Sequence, residues 1–181
     1  RLKGALGAQH VLLVSSGTTA LHLALLSLGV GQGDEVVVPA FSYVATANVV
    51  EHVGATPVFA DIDPSTFNVT ADSVTAAMSD RTKAVMVVDE FGLPAEVSAL
   101  LEQLNAAGIP LVEDAACALG SNRHGVPAGR AGSIAGFSFH PRKIITSGEG
   151  GAICTDDDAL ADFFARARSH GASTGSEGVS Y

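Results

Sequence analysis

A chain of 181 residues, 47% of them hydrophobic and 16% charged, carries enough apolar mass for one domain with a substantial core. Ten Lys and Arg against nineteen Asp and Glu give a formal net charge of −9, which argues against a nucleic-acid binder because no basic patch is available to release counterions; one phosphate at a helix end remains compatible. Cys117 and Cys154 form no CxxC or zinc spacing, and neither a leader-like apolar start nor a membrane-length apolar run is present, so the expectation is a cytoplasmic α/β protein with no metal and no membrane contact.

In chain order, Arg1 to Leu6 reads as the last turns of a helix and Val11 to Val14 as a short buried strand. Ser15-Ser16-Gly17-Thr18-Thr19 opens a helix to about Leu28, with Leu21, Ala24, Leu25 and Leu28 on one face, and Gly29 to Gly33 ends it. Glu35 to Val38 is a strand stopped by Pro39, Tyr43 to His52 a helix, and Thr56 to Ala60 a strand closed by Asp61-Ile62-Asp63-Pro64, where a solvated turn outweighs a metal site. Thr70 caps a helix to about Met78, Ala84 to Val88 is a strand, and Pro94 to Ala107 a helix. Pro110 to Val112 is a strand ending at Glu113-Asp114, and an irregular section follows. Ser133 to Phe139 and Ala152 to Thr155 are two more strands, and Asp156-Asp157-Asp158 caps a last helix to about Arg168 before a polar tail, Gly171 to Tyr181. The alternation predicts an α/β fold, a mixed, mainly parallel sheet between helices. The helical opening and the polar tail read as the ends of a fragment.

The stretch that organises the chain is Gly136 to Gly151, which sets Lys143 between a short aromatic strand and the loop Gly148-Glu149-Gly150-Gly151. Lys3 lies near the terminus and Lys83 follows the polar turn Ser79-Asp80-Arg81-Thr82, so Lys143 is the lysine with an unusual setting; taken alone, it reads as a solvated surface residue, and the rest of the chain shifts that reading. Ligands of open α/β sheets bind at the carboxyl ends of strands, and four features fall there. Ser16-Gly17-Thr18 meets a helix N-terminus, as a phosphate seat or a plain N-cap. Tyr43 follows Val36-Val37-Val38-Pro39 and either lies on a flat heterocycle or is a core or rim aromatic. Asp114 either pairs with a ring nitrogen, as carboxylates do in pyridoxal phosphate sites, or caps a helix. Ser138 is placed to donate to a phosphate and Lys143 to form an imine. Asp89-Glu90 faces the same edge and reads as a rim pair before an acid–base couple; His140 reads as structural and Glu149 as a local hydrogen-bond anchor. No GxxxxGK[ST] is present, and Gly29-Val30-Gly31-Gln32-Gly33 follows a helix, so neither a P-loop nor a dinucleotide fingerprint applies.

The stretches SSGTTALHLAL, GDEVVVPAFSYVATANVVEHVGATPVFADID, RTKAVMVVDEFGLPAEV, VEDAACALGS and GFSFHPRKIITSGEGGAICTDD together resemble the DegT/DnrJ/EryC1/StrS family of pyridoxal-phosphate-dependent sugar aminotransferases over nearly all of residues 11–170. The resemblance implies the large domain of the fold-type I transferases. It makes Lys143 the lysine that joins the cofactor's aldehyde and Asp114 the partner of the pyridine nitrogen. Gly17, Thr18 and Ser138 would hold the phosphate, Tyr43 would stack on the ring, and Ala116 would pack the opposite face. It implies pyridoxal 5'-phosphate, an amino-acid donor such as glutamate, a nucleotide-linked ketosugar acceptor, and a homodimer with shared sites.

Two departures stand out: Cys117 occupies a place where the family usually has Gln or His, near the cofactor's phenolic oxygen, and Asp89-Glu90 stands where relatives often have His or Tyr. The family's opening segment and smaller C-terminal domain have no counterpart here, so 1–181 is expected to be an incomplete cofactor-binding large domain. The alternatives are a sugar dehydratase of the same fold, against which Lys143 argues because those enzymes carry His there, and a non-catalytic cofactor-binding regulatory module.

Overall fold

The computed structural model describes residues 1–175 and 178–180. Eleven strands and six α-helices follow one another as α1 (Leu2–Leu6), β1 (His10–Val14), α2 (Gly17–Ser27), β2 (Glu35–Pro39), α3 (Ala45–His52), β3 (Thr56–Ala60), α4 (Ala71–Ala77), β4 (Thr82–Val88), α5 (Ser98–Ala107), β5 (Leu111–Asp114), β6 (Asn122–Arg123), β7 (Val126–Pro127), β8 (Ile134–Ser138), β9 (Gly151–Thr155), α6 (Asp158–Ala167), β10 (Ser173–Gly175) and β11 (Gly178–Ser180). Seven strands form one sheet in the order β1-β9-β8-β5-β4-β2-β3. The pairs from β8 through β5, β4 and β2 to β3 are parallel, while β9 is antiparallel to both β8 and β1. Strand β9 is therefore the one reversed strand of this sheet. All the other carboxyl ends, β1 included, meet at one edge, as the alternating pattern predicts.

Strand residues alternate between two cores, which is the period-2 rule at work in a sheet covered on both sides. Val36, Val38, Ala84, Met86, Val112 and Ile153 face a layer built by α2, α3 and Phe164 of α6. Val37, Val85, Val87 and Leu111 face the opposite layer, where Val74 of α4 and Leu100 and Leu104 of α5 pack. Helix α2 lies on one face of the sheet against β8 and β9 and is flanked by α3 and α6, so Ala20, Leu21, Leu23, Ala24 and Leu25 are all buried. Its buried residues face more than one direction because sheet and helices both cover it.

Local capping agrees with the sequence. Ser16 accepts from Thr19 N, Thr70 and Ser73 make a reciprocal capping box, and Asp157 accepts from Ala159 N and Leu160 N. Helix α5 is shorter than its apolar pattern predicts, starting at Ser98 rather than Pro94. Ala95 N is drawn to Asp89 Oδ1 at 3.0 Å and the Pro94 carbonyl to Arg123 at 3.0 Å, while Ala95 and Val97 bury in the core; the segment is held extended by tertiary contacts. The irregular section contains a small hairpin, β6–β7, whose turn residues His124 and Gly125 both have left-handed φ (50° and 83°). Asp63 is a turn former, accepting from Ser65 N at 2.7 Å. Within the polar tail, β10 and β11 pair antiparallel, and positions 176, 177 and 181 lie outside the described residues. No helix among the described residues is long and apolar enough to cross a membrane.

The join between β9 and the start of α2 fixes the edge where the strands end. Ser16 bridges Gly150, and a Cβ on Gly151 would stand 2.7 Å from Gly17 N, against backbone that cannot step aside. Gly151→Ala is expected to cost about 1–3 kcal/mol of overpacking, read as a lower urea midpoint at unchanged slope.

Candidate active site

The carboxyl edge opens into a cavity of about 490 Å³, and Gly17, Thr18, Tyr43, Asp114, Ala116, Ser138 and Lys143 all line it. The seven residues singled out in the sequence come from five separate segments and meet in one place. The first turn of α2 supplies Gly17 and Thr18, with Ser16 as N-cap using Thr19 N and leaving the earlier N–H groups of the helix directed at the cavity. Gly17 is required by close approach: a Cβ there would lie 2.9 Å from Ser138 Cβ. Removing that atom lets the helix end and the end of β8 converge on one small volume with N–H and hydroxyl donors.

Asp114 ends β5 and is buried, its Oδ2 accepting from Thr46 Oγ1 at 3.0 Å and its Oδ1 from Ala116 N at 3.2 Å. Thr46 is buried in the first turn of α3 and also lies 2.6 Å from Ser42 Oγ, so a Ser42–Thr46–Asp114 chain orients the carboxyl. The sequence reading missed Thr46; the signal was a hydroxyl on an otherwise apolar helix face. Burial raises the Asp114 carboxyl above its ordinary value, opposed by its bonds to Thr46 and Ala116 and by the Lys143 charge. Such a group is matched by a ligand that brings a proton to it.

Lys143 stands on the loop between β8 and β9. The loop closes on itself through Phe139 N to the Gly150 carbonyl at 2.9 Å, Thr146 Oγ1 to the Phe139 carbonyl at 2.8 Å, and Lys143 N to the His140 carbonyl at 2.9 Å. The lysine is half-buried, and its Nζ donates to Cys117 Sγ at 3.1 Å. The thiol thus meets the amine directly. His140 and Glu149, read separately in the sequence, both line the cavity and face each other: His140 Nδ1 accepts from Arg142 N at 3.2 Å, and its Nε2 lies 4.0 Å from exposed Glu149. Tyr43 stands at the mouth, exposed, beside Phe41 and Phe91.

The Asp89-Glu90 pair divides. Asp89 points away from the cavity into the protein, its Oδ1 accepting from Ala95 N, its Oδ2 without a donor and its carboxyl within hydrogen-bond reach of Glu113. Glu113 is itself buried and already receives the N–H groups of Gly129, Ala131 and Gly132. Burial first, and then the Glu113 charge, push the Asp89 carboxyl up to about 9. Glu90 turns into the cavity. The expected rim pair is therefore one interior acid and one cavity acid.

Comparison with known proteins decides the family. The DegT/DnrJ/EryC1/StrS aminotransferase family model matches residues 1–180. The chain belongs to this family. It is 47% identical over 155 residues to the GDP-perosamine synthase of Caulobacter vibrioides, covering 86% of this chain and 42% of that one. It superposes with a TM-score of 0.91 and 38% identity on S. venezuelae DesV in complex with a ketimine intermediate, covering 97% of this chain and 47% of DesV. On ntda from Bacillus subtilis with bound cofactor PMP the TM-score is 0.82 at 34% identity, over 90% of this chain and 37% of ntda. The DegT-family chain thus spans less than half the length of these relatives, and its sheet is that of the fold-type I aminotransferases.

The cavity of this family member fits pyridoxal phosphate: donors at a helix end for an anion, a buried carboxyl for a protonated ring nitrogen, and a lysine amine between them. A pH series tests the interior acid. An acid whose folded pKa is raised binds more protons folded than unfolded, so its neutral form stabilises the protein at low pH, and that contribution is lost as pH rises from the ordinary value of 3.8 toward about 9. The melting temperature is expected to fall over this window, and Asp89→Asn is expected to flatten the fall.

Proposed function

We propose that the chain is the cofactor-binding part of a pyridoxal-phosphate-dependent aminotransferase that moves an amino group, from glutamate, to a nucleotide-linked ketosugar. The observation that carries this reading is the convergence of Lys143, Asp114 and the α2 N-terminus on one cavity. Its relatives support the substrate class, GDP-perosamine synthase among them. Cytoplasmic location and a homodimer with shared sites go with the same reading.

When bound, pyridoxal phosphate supplies an aldehyde and an electron-accepting ring. Ser138, Thr18 and the N–H groups at Gly17 hold the phosphate, where the helix dipole favours an anion. Asp114, fixed by Thr46 and Ala116 N, holds the proton at the ring nitrogen; the low dielectric of its seat strengthens that contact. Tyr43 would lie on one ring face and Ala116 would pack the other. Lys143 would hold the cofactor through its aldehyde, and its free amine would serve as the base that moves a proton at the substrate carbon. Cys117, 3.1 Å from Nζ, accepts a hydrogen bond from the free amine and holds it inside the cavity between turnovers.

The test is spectroscopic and uses the full chain. The wild-type protein is expected to take up pyridoxal phosphate with a visible absorption band that glutamate bleaches, and Lys143→Ala to lack the band while still binding the cofactor's phosphate end. A band that survives Lys143→Ala would assign the linkage to another amine. Bleaching by a different amino acid alone would replace glutamate as donor.

A further inference from the structure

Four carboxyl groups crowd the ends of β4 and β5: Asp89, Glu90, Glu113 and Asp114, all buried. Three have partners inside the protein. Glu113 is surrounded by three backbone N–H groups, Asp89 takes one from Ala95 on Oδ1 and keeps Oδ2 inside the protein without a partner, and Asp114 is held by Thr46 and Ala116. Glu90 differs. It is 8% exposed, lines the cavity beside Lys143 and Asp114, and its carboxylate receives the N–H of adjacent Phe91 but, among the described residues, no bond from another side chain. Its oxygens are not sealed from the cavity, so a group that enters the cavity can complete their hydrogen bonding.

The backbone around it is built to aim it. Asp89 N donates to the Asp114 carbonyl at 3.1 Å, tying the end of β4 to the end of β5. Buried Asn68 clamps the following turn from both sides, its Oδ1 accepting from Glu90 N at 3.2 Å and its Nδ2 donating to the Leu93 carbonyl at 2.9 Å. Within that turn Phe91 adopts left-handed φ (52°), a costly conformation for an aromatic residue, and Gly92 follows at 86°. The turn fixes Glu90 in the wall and leaves the Phe91 ring at the rim.

Resting on the aminotransferase reading above, we propose that Glu90 determines acceptor specificity by accepting a hydrogen bond from a hydroxyl of the sugar. A sugar hydroxyl brings a donor and no charge, and a hydrogen bond to a carboxylate in a partly dry site is of the stronger kind.

The test compares the cofactor-loaded full chain with Glu90→Leu and Glu90→Gln, using calorimetric titration with GDP-mannose and, separately, with GDP alone. Glu90→Leu is expected to bind GDP-mannose about tenfold or more weakly, the loss of one hydrogen bond to a charged group, while binding GDP as the wild type does. Glu90→Gln, which keeps an acceptor oxygen, is expected to fall between, with a melting temperature matching the wild type's. In turnover, the glutamate-driven bleaching of the visible band is expected to be unchanged in both variants. Equal GDP-mannose affinity in all three proteins overturns the role of Glu90, as does a parallel loss of GDP affinity or of the glutamate step. A wild type that glutamate fails to bleach, but whose GDP-mannose binding still depends on Glu90, overturns the aminotransferase reading and leaves the sugar contact standing.

Discussion

The site depends on one carboxyl kept out of water. Asp114 sits at the end of a central strand, roofed by α3, and receives a threonine hydroxyl and a backbone N–H inside the protein. Burial disfavours its charge, and that cost is offset when a cationic or proton-bearing group settles against it. The cavity, the lysine loop and the helix end are arranged around the place where such a group would lie. The parallel order β8-β5-β4-β2 makes this possible by bringing Ser138, Asp114, Glu90 and the Tyr43 loop to the same edge.

The reversed strand β9 has a specific part in this. It returns the chain from the lysine loop into the sheet between β8 and β1, so the loop leaves and re-enters next to the N-terminus of α2. A loop with that footing can present an amine at a fixed distance from a phosphate seat. Its glycines serve the close backbone approach at Ser16 and Gly17, where a side chain on Gly151 has no room. Behind the edge, the three N–H groups of Gly129, Ala131 and Gly132 on Glu113 pin the segment 129–132 to β5.

Much of this was legible in the sequence. Strand and helix order followed from apolar periodicity, the caps at Ser16, Thr70 and Asp157 from their side chains, and the positions of Gly17, Asp114, Ser138 and Lys143 from the rule that strand ends carry ligands. What escaped was set by tertiary contact. The start of α5 gives way to a bond between Ala95 N and Asp89, which no local propensity encodes. The hairpin at Asn122 to Pro127 rests on two left-handed residues, only one of them a glycine. Thr46 gains its role from a residue 68 positions away, and Cys117 meets Lys143 across 26. Asp89 and Glu90 are adjacent in sequence and opposite in direction; alternation along a strand end predicts the divergence, but only the packed structure shows which acid is interior.

The most direct measurement of the central assignment is chemical. Borohydride reduction of the full chain loaded with pyridoxal phosphate, followed by proteolysis and mass spectrometry, locates the amine that joined the cofactor. The cavity geometry requires the added mass on the peptide containing Lys143, and on neither Lys3 nor Lys83. Modification at either of those lysines, with Lys143 unmodified, would contradict it.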